Sequence, residues 1–172
     1  TMQTTIVPLL QYAKNRGLQT QINTNLTLDY ERYEWIADLV DVMHISFNYT
    51  NEQDYHQIGF ARSRNNVTLA TAEKLYRRMI DNARKLSARG VFVSAESMIN
   101  MRTHHQLADI HRLVAEMGCR RHEIHPMYPI DFAADLSVLS LDEIRDAIKR
   151  LLAQRDPDVW ILFGTLPFFR CS

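Results

Sequence analysis

The chain of 172 residues is short of several things, and each shortage removes a class of explanation. It holds two cysteines, Cys119 and Cys171, too few and too far apart for a disulfide framework. Its 20 basic and 20 acidic residues cancel, so no global field draws nucleic acid or an anionic membrane. No apolar run approaches the ~18–20 residues of a membrane span. No charged-then-apolar secretory signal opens the sequence. A cytoplasmic setting, with neither nucleic acid nor membrane as partner, is the expectation. With five glycines and five prolines there is also no low-complexity stretch or interdomain linker.

What is present is ordinary globular composition, 46% hydrophobic and 23% charged, in a length that suits one domain with a real core. The domain is expected to fill residues 1–172. Abrupt ends, the second just after Phe168 and Phe169, lead us to expect a piece of a longer polypeptide.

Helical and strand periodicities alternate along the chain. Residues 6–16 read as a helix, with Pro8 in its first turn and Gly17 as its stop. Residues 18–25 read as a strand, and Asp29 as the N-cap of a helix to Leu39. A strand from Asp41 to Asn48 follows, then a polar loop over 49–67. The longest helix is expected from Thr68 to Arg89, ended by Gly90. A strand over 91–100 precedes a Thr103/Gln106 capping box and a helix to Met117. Residues 121–125 form a fourth strand, Ser140 and Glu143 cap a helix to about Gln154, and residues 159–163 form a fifth strand. This rhythm predicts an α/β fold, a parallel sheet joined by βαβ crossovers.

The strand Asp41–Asn48 is the most informative stretch. Alternation puts Met43, Ile45 and Phe47 in one row, and Val42, His44, Ser46 and Asn48 in the other. A fully buried parallel strand would be apolar in both rows. The same polar enrichment recurs elsewhere: Gln19, Gln21 and Asn23, then Ser94 and Glu96, then Glu123 and His125. Left unpaired in a dry core, such groups would cost about 1–3 kcal/mol each. They are expected to line a ligand-holding lumen, with the strands' C-terminal ends as its mouth. A sheet with one face in water is the alternative.

Several segments together resemble the radical S-adenosylmethionine (radical SAM) enzymes. They are Leu10–Gly17, Gln21–Asn25, Asp41–Ser46, Val93–Asn100, the Met117-Gly118 junction and the His125–Pro129 loop. The segment Pro167-Phe-Phe-Arg-Cys171 is similar to the run into the first cysteine of the subgroup with a CxCxxxxC motif, the YfkAB type. The resemblance implies a partial (β/α) barrel, incomplete on its N-terminal side and forming the C-terminal portion of a radical SAM core. The family's CxxxCxxC loop, which binds a [4Fe–4S] cluster, is absent from this sequence, as is its Gly-Gly-Glu strand end. The resemblance therefore implies a chain that is inactive alone and carries no bound cofactor. Its parent would cleave S-adenosylmethionine at the cluster to a 5′-deoxyadenosyl radical.

By the same resemblance, Thr24 and Asn25 fall near the methionyl group or substrate, and Ser46 and Asn48 near the ribose. Ser94 and Glu96 fall near the ribose or carboxylate, and His125 and Met127 near the adenine. Cys171 is a candidate auxiliary-cluster ligand. The substrate is a small molecule or peptide of unknown identity. Two other readings stay open. One is a non-radical barrel lyase or isomerase using Glu96, His44 or His125 as acid and base. The other is a non-catalytic subunit that self-associates or completes a barrel by docking through exposed strand edges. His122 and His125 should point to opposite faces of their strand, which argues against a metal site there. His104 and His111 are expected on a solvated helix face, and Cys119 as an inert buried thiol.

Overall fold

The computed structural model describes residues 2–61, 63, 66–129 and 137–164. Five strands form one sheet in the order β1 (Gln21–Thr24), β2 (Val42–Ser46), β3 (Val93–Ile99), β4 (Arg121–Pro126) and β5 (Trp160–Phe163). Every neighbouring pair is parallel. Strands added in chain order with one crossover hand put all the helices on one side. The other face is left without helices.

Why the helices choose their face follows from alternation. Met43, Ile45 and Phe47 are fully buried, in a core shared with Tyr76, Met79, Ala83 and Leu86 of α4 (Leu69–Ala88) and with Ile110 and Val114 of α5 (Leu107–Glu116). Each such apolar side chain contributes about 1.5–3 kcal/mol by leaving water. A second cluster joins Ile99, Leu107 and Ile124 to Ala147 and Leu151 of α6 (Leu141–Ala153), with Ile161 and Phe163 packed against it. Among the described residues no helix is long and apolar enough to cross a membrane.

Some boundaries differ from expectation. The first helix, α1 (Met2–Asn15), starts before Pro8 and carries that proline inside it, on an exposed side. The helix expected from Asp29 to Leu39 breaks into α2 (Tyr30–Glu34) and a 3₁₀ turn at Ala37–Leu39. Asp29 makes no side-chain cap there and pairs instead with Arg78 at 3.0 Å. The loop after β2 contains the short α3 (Glu52–Asp54) and a π-helical turn, Tyr55–Gly59. Ser140 and Glu143 form the expected capping box. Thr103 and Gln106 do not, because the Gln106 amide donates to Asp54 Oδ2 at 2.9 Å and accepts from Thr50 at 3.0 Å. Local pattern lost to tertiary partners at that site.

The loop into β2 is held by Asp41. Lys14 Nζ lies 2.6 Å from its carboxylate and the Thr20 amide donates to it at 2.7 Å. These contacts, Lys14 first, hold the Asp41 carboxyl below its usual range.

Candidate functional site

The helix-free face is laid out in rows by the strand register. In the deepest row Asn23, His44, Ser94, Arg121 and Trp160 follow one another across the sheet. The next row holds Ser46, Glu96, Glu123 and Leu162. Beyond it, nearer the C-terminal rim, Met98 pairs with His125. Ser46 and Asn48 thus lie on the side away from the helices.

The middle row sets two carboxylates directly opposite each other, an arrangement that destabilises a sheet unless countered. Three cationic or hydrogen-bonding groups counter it. His44 Nε2 lies 2.9 Å from Glu96 Oε2, and His125 Nε2 lies 2.9 Å from Glu123 Oε1. The same His125 nitrogen is 3.9 Å from Glu96 Oε1. Arg121 approaches Glu123 at 3.7 Å and donates from Nε to Ser94 Oγ at 2.8 Å. The Arg121 guanidinium also lies between the Phe92 and Trp160 rings, 5.9 and 5.8 Å from their centroids. Glu96 is half-buried, whereas His44 and Ser94 are buried.

The rim has its own geometry. Phe47 N donates to Glu96 O at 2.8 Å. A regular parallel ladder would continue with Met98 N donating to Phe47 O. Instead Met98 N donates to Asn48 Oδ1 at 2.7 Å, and the Ser97 hydroxyl caps the Phe47 carbonyl. An amide N–H can only donate, so this bond fixes which end of the Asn48 side chain is oxygen. The other end of that side chain is therefore its NH₂ group. Beside the rim, a cavity of about 260 Å³ is lined by Asn100, Met127, Tyr128 and Leu139 among others.

Of the residues singled out in the sequence, Ser46, Asn48, Ser94, Glu96 and His125 come together on the helix-free face. Met127 instead lines the apolar cavity on the α6 side of the rim, with Ile99, Leu139 and Ile144. Thr24 does not join the group: it shares the helix side with Ile22, 3.4 Å from the Tyr33 hydroxyl, and accepts from Leu26 N. The Asn25 side chain turns back on Thr27. Cys171 lies outside the described residues. Cys119 is buried as expected, its thiol pushed up to about 12 by burial. Among the described residues no three His, Cys, Asp or Glu side chains are grouped to hold a metal ion.

His111 is the clearest correction. It is buried, not solvated, and its ring stacks on His122 with Nδ1 to Nδ1 at 3.0 Å. His122 does point away from His125, and its place on the helix side was readable from alternation. Arg121 was overlooked, although alternation places it in the same row as Glu123 and His125. Ser97 gave no signal of its own, since it acts on Phe47, far away in the chain.

Comparisons with known proteins give the chain its relatives and its fold. Residues 127–172 match the model of the YfkB-like domain family. The protein YfkA of Bacillus subtilis (strain 168) is 54% identical over 168 residues, which is 97% of this chain and 45% of YfkA. The chain thus spans less than half the length of that relative. Among solved structures, a domain of pyruvate-formate lyase-activating enzyme from Bacteroides vulgatus ATCC 8482 superposes with a TM-score of 0.67 at 11% identity. That match covers 92% of this chain and 88% of the other. SuiB of Streptococcus suis superposes with a TM-score of 0.69 at 14% identity, over 94% of this chain and 36% of SuiB. SuiB has also been solved bound to S-adenosylmethionine and bound to the precursor peptide SuiA. At these identities the structural likeness establishes the fold.

Proposed function

We propose that this chain, a homologue of YfkA with the partial-barrel fold of radical SAM enzymes, supplies the nucleoside-holding wall of such an enzyme. The observation that carries the reading is the set of hydrogen-bonding groups gathered at the rim on the helix-free face. Glu96 Oε2 is tied to His44, and Oε1, 3.9 Å from His125 Nε2, can still accept from a ribose hydroxyl. The NH₂ of Asn48 can donate, and the exposed Ser46 hydroxyl can do either. A neutral diol beside a flat base suits such a set, with Met127 at the strand end against the base. Bound S-adenosylmethionine would supply the adenosyl group for radical chemistry.

What these residues do is bind and orient. His44 keeps the Glu96 carboxylate in place, and Arg121 with His125 does the same for Glu123. Described residues bring no cluster-binding motif, so the iron–sulfur centre falls to other parts of the parent protein. The outer edges of β1 and β5 have no strand partner among the described residues. They are where those parts dock, in a reducing, cytoplasmic setting, on a small-molecule or peptide substrate.

The test is calorimetric binding of S-adenosylhomocysteine to the full-length protein. Ser46→Ala and Asn48→Ala should each weaken binding by up to about tenfold, the loss of one hydrogen bond. Unchanged affinity in both variants would remove the reading.

A further inference from the structure

Four hydrogen bonds cross the core on the helix side of the sheet and end at the rim. Asp156 N donates to His111 Nε2 at 3.1 Å. His111 Nδ1 lies 3.0 Å from His122 Nδ1, and His122 Nε2 lies 2.8 Å from Ser97 Oγ. The Ser97 hydroxyl then donates to the Phe47 carbonyl. His111, His122 and Ser97 are all essentially without solvent exposure.

Both ends of this chain have only one chemical option. An amide N–H must donate and a carbonyl must accept. Working inward from Asp156, His111 Nε2 bears a lone pair, so its proton sits on Nδ1 and is given to His122. That makes His122 Nδ1 an acceptor and puts its proton on Nε2, facing Ser97. Working back from Phe47 gives the same answer. A second proton on either ring would set two N–H groups against each other. The pair is therefore locked neutral, each ring in a different tautomer.

We propose that His111, His122 and Ser97 are positioning residues for the ligand rim. By capping the Phe47 carbonyl, the relay frees Met98 N to hold Asn48 Oδ1, and so fixes which end of the Asn48 amide is held by the strand. None of the three touches the ligand face. The relay reaches it through the Phe47–Asn48 backbone, and links that rim to the connection between α6 and β5. The role rests on the nucleoside reading only for the nature of what Asn48 holds.

The test uses the full-length protein with ¹⁵N-labelled histidine and asparagine. His111 should appear as the Nδ1–H tautomer and His122 as the Nε2–H tautomer. His122 should not titrate between about pH 5 and 8, where a free imidazole does, and His111 should titrate below its ordinary value. In Ser97→Ala the Asn48 side-chain amide signals should shift and S-adenosylhomocysteine should bind several-fold more weakly. Ser97→Thr, which keeps the hydroxyl, should restore both. Either ring titrating near its ordinary value, or Asn48 signals indifferent to Ser97→Ala, would overturn the proposal. If Ser97→Ala does not fold, the wild-type tautomers decide it. Failure of the wild-type protein to bind S-adenosylhomocysteine would count against the nucleoside reading alone, because the Asn48 signals report on the relay without ligand.

Discussion

Gly164 lies flat against the His125 imidazole: a Cβ at 164 would come within 2.8 Å of Nε2 and 3.0 Å of Nδ1. The glycine is needed for space, since its backbone does not enter the left-handed region. Gly164 N also donates to Ile124 O at 3.0 Å, so the strand cannot move aside cheaply. Gly164→Ala should push the ring away from Glu123, with an overpacking cost of about 1–3 kcal/mol. Urea unfolding reads that cost. A stability equal to wild type would mean that the His125 ring moves freely.

Asn82 is a buried amide in the middle of α4 that clamps the end of β1. Its Nδ2 donates to Leu26 O at 2.8 Å and to Leu28 O at 2.9 Å. Leu26 needs holding: it is buried and has a φ of 52°, a conformation that costs a branched side chain energy. Asn82→Ala should therefore destabilise by about 2–3 kcal/mol, from two carbonyls left unpaired. Arg77→Ala on the same helix removes a largely exposed pair with Glu52 and should cost less than about 1 kcal/mol. Equal effects of the two substitutions would show that the clamp is not what holds this turn.

How much of this was legible depends on where each residue's partner lies. The two rows of β2 were readable because strand alternation is local and Met43, Ile45 and Phe47 leave no ambiguity. Ser140 and Glu143 were readable because they cap each other across one turn. Thr103 and Gln106 show the same pattern and fail, since Asp54 and Thr50 compete for the Gln106 amide from more than fifty residues away. Thr24 was assigned to the site by position at a strand end, but its parity puts it with Ile22 against Tyr33. His111 was misplaced because helical spacing relates it to His104 without saying which face is buried.

Acid should weaken the fold through the buried histidines. Burial first, and then the neighbouring His111, pushes His122 down to about 3 from an ordinary 6.5. Burial also lowers His111, opposed by Asp156. In the unfolded chain both rings take a proton near 6.5, while folded His122 does not until about 3. The unfolded state thus binds more protons inside that window, and stability must fall as pH drops through it. Unfolding free energy measured from about pH 7.5 to 4 should decline, and His122→Gln should flatten the decline. An unchanged slope in the variant would assign the acid sensitivity to other groups.

Arg121 has three simultaneous tasks, and lysine can perform only one of them. Its Nε donates to buried Ser94, its guanidinium lies over the Phe92 and Trp160 rings, and its charge approaches Glu123. Arg121→Lys keeps the charge but loses the fixed fork and the stacking, a cost of about 1–3 kcal/mol. Arg121→Met keeps much of the apolar stem and leaves Glu96 and Glu123 opposed with less compensation. It should therefore be the less stable of the two. Adding Glu123→Gln removes the uncompensated charge, so the double variant should recover part of the loss in a double-mutant cycle. A double variant whose loss is the sum of the two single losses would mean that Arg121 is held there by its aromatic neighbours and Ser94, with its charge playing no part in balancing the paired carboxylates.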